Sequence, residues 1–149
     1  RAALLQQRWA LVSRLTTLSS VNFHLYNKRK IHTNLPFIFY YKLICALPYV
    51  NDPRGVETVS RPALLLDPQY SPRDCDDKSI LLAAWCKCNG IKCRFIASST
   101  RKNGKLHHVF LQLENGIFAD ATYKRFGKTP FYYDYFKKIT KICPISDFF

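Results

Sequence analysis

At 149 residues, with 48% apolar and 22% charged side chains, the chain suits one domain with a real core, and its composition argues against a disordered chain. Its formal charge is +13, yet no Asp or Glu precedes Asp52, while Arg1, Arg8, Arg14, Lys28, Arg29, Lys30 and Lys42 supply seven positive charges. Such an acid-free basic arm, over residues 1 to 46, points to nucleic acid, an anionic membrane surface or neighbouring protein chains; a merely solvated face is the alternative.

In chain order, Ala2, Leu4, Leu5, Trp9, Leu11, Val12, Leu15 and Leu18 recur at loosely helical spacing, which predicts an amphipathic helix. The segment lacks a continuous apolar run for a signal peptide, and its Arg-rich start suits an organelle transit peptide. Residues 35 to 50 are apolar and aromatic, bounded by Pro36 and Pro48 and broken by Lys42. That run is too short to span a bilayer and reads as a core helix, so no transmembrane segment is expected. Residues 51 to 73 carry Pro53, Gly55, Pro62, Pro68 and Pro72 and read as a connecting loop. Gln69 on this loop is a weak candidate for an oxyanion donor, with an ordinary exposed glutamine as the alternative.

The next stretch, Asp74-Cys75-Asp76-Asp77 through Asn89-Gly90, organises the chain. Pro72 and Asp74 open a helix, Asp76 and Asp77 sit where its dipole favours negative charge, and Asn89-Gly90 closes it. Cys75 therefore stands at a helix N-terminus, where unpaired N–H groups favour a thiolate nucleophile; the two aspartates partly oppose this. Alternation from Ile91 through Cys93, Phe95 and Ala97 predicts a strand, and Lys102-Asn103-Gly104-Lys105 a turn. A second strand follows over residues 106 to 113, with His108, Phe110 and Gln112 on one face and His107, Val109, Leu111 and Leu113 on the other. A third, over residues 117 to 122, carries Asp120. A slip of one residue would exchange His107 for His108. The aromatic, Lys-bearing tail from Tyr123 onward reads as a final element on the core, with base stacking or a peptide groove as the alternative.

Six cysteines in mostly apolar settings read as free thiols of a reducing compartment. A zinc set of Cys86, Cys88, Cys93 and His107 is disfavoured, because residues two apart on a helix point to nearly opposite sides. With no glycine-rich phosphate loop either, neither metal nor cofactor is expected.

Four separated pieces, Asp74-Cys75-Asp76-Asp77, Ala83-Ala84 with Gly90-Ile91, His108 to Leu113, and Asp120-Ala121-Thr122, resemble the transglutaminase-like superfamily in order and spacing. The likeness is to bacterial and phage members with an Asp-Cys-Asp-Asp box and covers positions 47 to 123, with Leu47-Pro48-Tyr49-Val50, Asp52-Pro53, Glu57 and Arg61-Pro62 as its lead-in. It implies an α+β fold, a papain-like core with the nucleophile helix packed on a small antiparallel sheet. The catalytic domain would span residues 47 to 149 and carry a helical N-terminal extension. It also implies a phage virion as a location, beside the reducing intracellular compartment that the cysteines suggest. Two positions depart from the pattern: Arg73 stands where a glycine commonly precedes the Asp-Cys pair, and Ala121 replaces a proline. A long cation at position 73 would reshape the substrate entrance.

The expected chemistry is acyl transfer on a peptide or protein substrate. Cys75 attacks a carbonyl, His108 carries the proton and Asp120 fixes the imidazole. Water as the second nucleophile gives a peptidase or amidase, the form that the resemblance favours, and a lysine amine gives a crosslink. The competing reading is a catalytically inactive structural or virion protein whose basic arm and aromatic tail meet other chains or nucleic acid.

Overall fold

A computed structural model describes residues 35–54, 65–67, 69, 72–128 and 139–149. These form two helices and an antiparallel five-stranded sheet, an α+β arrangement. The expected amphipathic helix, most of the basic arm and residues 129–138 of the aromatic tail lie outside the described residues.

Helix α1 (Phe37–Ala46) starts on Pro36, whose carbonyl accepts from the Phe39 and Tyr40 N–H groups. It stops at Leu47, in extended conformation, because the residue before Pro48 is disfavoured in helical geometry. Tyr40, Tyr41 and Ile44 are buried, and Phe37 sets its ring edge-on to Trp85 with centroids 5.1 Å apart.

Helix α2 (Cys75–Cys88) begins with a capping box: the Asp74 carboxylate accepts from the Asp76 N–H, and the Asp77 carboxylate accepts from the Asp74 N–H. It ends as a Schellman turn, with the Ile91 N–H on the Cys86 carbonyl and Gly90 at φ +69°. Every residue from Asp76 to Cys86 is buried, so this helix is surrounded rather than amphipathic.

Strand β1 (Cys93–Ser99) lies between β2 (His108–Leu113) and β5 (Lys141–Pro144); β3 (Phe118–Asp120) follows β2, and β4 (Arg125–Gly127) is the far edge. In β1 and β2 the alternation expected from sequence is realised. Cys93, Phe95, Ala97, Val109, Leu111 and Leu113 join α1 and α2 in the main core, whereas Ile96 and Phe110 form a smaller cluster with Phe118 and Ile139. The tail does pack on the core, as β5 alongside β1 and as Ile145 and Phe149, which touch the main cluster.

Candidate active site

Cys75 occupies the first position of α2, where that helix meets β2. The Ser79 hydroxyl lies 2.7 Å from the Cys75 carbonyl oxygen and 3.3 Å from that of Val109, linking the first turn of α2 to the residue after His108. The Val109 N–H approaches the Cys75 sulfur, and the thiol donates to Asp76 Oδ1 at 3.4 Å. Burial, then the Asp76 carboxylate, push the Cys75 thiol well above its ordinary range, and the Val109 N–H opposes them only in part. The thiolate expected at a helix N-terminus is therefore outweighed. A charge of half an electron at the helix end does not offset removal from water beside two carboxylates.

His108 and Asp120 are brought together. Nε2 lies 2.6 Å from Asp120 Oδ2, with the side chains 5% and 1% exposed. Asp120 is fixed on every side. Its Oδ1 accepts from the Thr122 and Tyr123 N–H groups at 3.0 and 3.1 Å, and its carbonyl accepts from the Tyr41 hydroxyl at 3.1 Å. Since Nε2 is committed to the carboxylate, proton exchange between His108 and a thiol must use Nδ1. By strand alternation the imidazole shares the Phe110 face, their ring centroids 6.0 Å apart, while α2 packs against the Val109 and Leu111 face. His108 is the first residue of β2, at the end of the strand where α2 starts.

His107 does not take this place. Its Nε2 accepts from the Thr100 N–H at 3.0 Å, so the register assigns the carboxylate to His108. Gln69 is exposed, its N–H donating to the Asp67 carboxylate at 2.9 Å. Arg73 corrects an expectation. It is 0% exposed, and its guanidinium donates to the carbonyls of Leu65, Asp67 and Pro48 at 2.8, 2.6 and 3.1 Å. Rather than guarding an entrance, the side chain holds the connecting loop onto the helix start, a use in which planar multidentate geometry matters more than charge. Ala121 is buried in the main core.

Four contributors escape sequence reasoning: Tyr41, Ser79, Tyr49 and Tyr123. Tyr123 meets the His108 ring edge-on at 4.9 Å. Burial pushes the Tyr49 phenol up, with the charges of Cys75, Asp74 and Tyr123 adding to the effect. Both rings are exposed, 45% for Tyr49 and 42% for Tyr123, and the Tyr123 ring covers one edge of the imidazole. Only Ser79 carried a signal, standing one helical turn after Cys75 on the same face.

Among the described residues two groups hold side chains close enough for a metal ion: Asp74, Cys75 and Asp76, and Asp52, Asp74 and Asp77. Burial, with Asp74, Asp76 and Asp52 alongside, pushes the Asp77 carboxyl up to about 7 despite the Asp74 N–H that it accepts. The cysteine set weighed for zinc is not among these groups; a hydrogen bond between the Cys86 and Cys93 thiols, together with burial, raises the Cys86 thiol. All six cysteines are free thiols. No helix among the described residues is long and apolar enough to cross a membrane. No family model, curated protein or solved structure matches the chain.

Proposed function

We propose that this chain is a thiol-dependent acyl-transfer enzyme of transglutaminase-like, papain-like type, acting most readily as an amidase or peptidase through Cys75, His108 and Asp120. The observation that carries the reading is the buried His108–Asp120 pair at 2.6 Å, set at the strand end against which the Cys75 turn is clasped. A carboxylate that already accepts two backbone N–H bonds and still holds an imidazole at this distance fixes tautomer and orientation, as a general base requires.

Because burial and Asp76 disfavour a resting thiolate, the reaction starts from the neutral thiol. The S–H leaves Asp76 Oδ1, and His108 Nδ1 takes the proton as sulfur attacks the carbonyl carbon. The oxyanion forms near the helix-start N–H groups. Collapse breaks the C–N bond, and the imidazolium returns its proton to the leaving amine. Water, deprotonated by the same imidazole, then attacks the thioester and releases acid and thiol; a primary amine in its place gives a new amide.

One observation favours the inactive structural reading. The resting thiol is bonded to Asp76, and its acidity is suppressed. The test is hydrolysis of a quenched peptide library, with amine incorporation followed in parallel. Turnover lost in Cys75→Ala and cut at least ~10²-fold in His108→Ala supports the enzyme. Turnover unchanged by both substitutions, or none with any peptide, removes it.

A further inference from the structure

We propose that Asp52, Asp74 and Asp77 form a binding site for a divalent cation with oxygen ligands, Ca²⁺ in preference to Mg²⁺, at the start of α2. The site is made by tertiary structure. Paired N–H···O bonds between Val50 and Arg73, at 2.7 and 2.8 Å, bring the segment carrying Asp52 alongside the lead into α2. One carboxylate oxygen from each aspartate then lies within 4.8 Å of the other two. Three protein carboxylates suit Ca²⁺, which takes about 6–8 oxygen ligands in flexible geometry, better than Mg²⁺, which keeps several of its waters and is usually held by one or two carboxylates.

A second observation is independent of this clustering. Asp77 is 0% exposed; its Oδ2 accepts the Asp74 N–H, but its Oδ1 is buried with no hydrogen-bond partner. Buried carboxylate oxygens are normally satisfied, and a carboxylate that keeps an orphan oxygen while belonging to a cluster of three is an arrangement that a cation completes. The local charge also runs against that of the chain. Of ten acidic side chains in a protein of net charge +13, three meet here, with Asp76 beside them. Asp52 and Asp74 are only partly buried, which leaves a hydrated ion a route in and room for waters to complete its shell. Bound there, the ion ties residues 50 to 54 to the capping box of α2.

The experiment is thermal unfolding of the full chain, stripped with EDTA and titrated with CaCl₂ or MgCl₂, with Tb³⁺ luminescence as a direct binding readout. At ten times Kd the expected rise in Tm is about 3–6 °C for Ca²⁺ and smaller for Mg²⁺. Asp52→Asn, which lies off the helix, and Asp77→Asn, which keeps an acceptor for the Asp74 N–H, should each abolish the rise and the Tb³⁺ signal. Asp67→Asn should leave both intact. No rise at 10 mM Ca²⁺, or a rise retained in Asp52→Asn, overturns the site, and equal rises with both metals overturn the preference. If Asp77→Asn does not fold, Asp52→Asn decides alone.

Discussion

The pairing of His108 with Asp120 makes a quantitative demand on stability. Asp120→Ala removes one partner of a contact that is 5% and 1% exposed and strands the Thr122 and Tyr123 N–H groups, which Oδ1 now satisfies. Breaking a buried pair from one side costs about 3–5 kcal/mol, which for a chain of this size lowers Tm by roughly 6–20 °C. Asp120→Asn separates the contributions. Its amide oxygen still accepts the two N–H bonds, so the loss narrows to that of the imidazole contact, about 1.5–3 kcal/mol. The assay is urea unfolding at pH 7.5 of wild type, Asp120→Asn, His108→Ala and the double variant. In the resulting cycle the two single losses should exceed the double loss by about 1.5–3 kcal/mol. A coupling within about 0.5 kcal/mol of zero would mean that the 2.6 Å contact contributes nothing specific, and the argument that Asp120 orients His108 would fail with it.

Three further outcomes follow from the site's surroundings. Asp77 is held at about 7 in the fold against roughly 4 in an unfolded chain. The unfolded state therefore loses its proton first, and the stability from protonated Asp77 is full below about pH 4 and lost as pH rises through about 7. In EDTA, Asp77→Asn should match wild type near pH 4 and exceed it by about 4 kcal/mol at pH 8; parallel stability curves would refute this. Arg73→Ala, by stranding three carbonyls, should cost at least about 3 kcal/mol, and Arg73→Lys should recover less than half by urea unfolding. Asp76→Asn should speed Cys75 alkylation by iodoacetamide at pH 8 roughly 10-fold, since it removes the carboxylate that opposes the thiolate; an unchanged rate would show that burial alone sets its acidity.

What the sequence made legible was local. Asp74, Asp76 and Asp77 announced the start of α2, Asn89-Gly90 its end, and apolar alternation separated the Val109 face of β2 from the His108 face. What escaped it depends on distant segments. The pairing of β5 with β1 joins residues more than 40 positions apart, and nothing in Lys141–Pro144 specifies a partner. Tyr41 reaches Asp120 across 79 positions. The burial of charged residues was the least legible feature, because exposure is the sound default for them and this helix start is buried. Arg73 turned out to be a fully buried tie, Asp77 a buried carboxylate with an orphan oxygen, and Cys75 a thiol whose desolvation outweighs the helix dipole.

Acyl trapping tests the central proposal most directly. The chain is mixed with an activated acyl ester such as p-nitrophenyl acetate, quenched within seconds and mapped by peptide mass spectrometry. The account predicts a thioester at Cys75 ahead of the other five cysteines, formed at least ~10²-fold more slowly in His108→Ala and absent in Cys75→Ala. Acylation spread evenly over the six thiols, or a Cys75 adduct that forms as fast without His108, would contradict it.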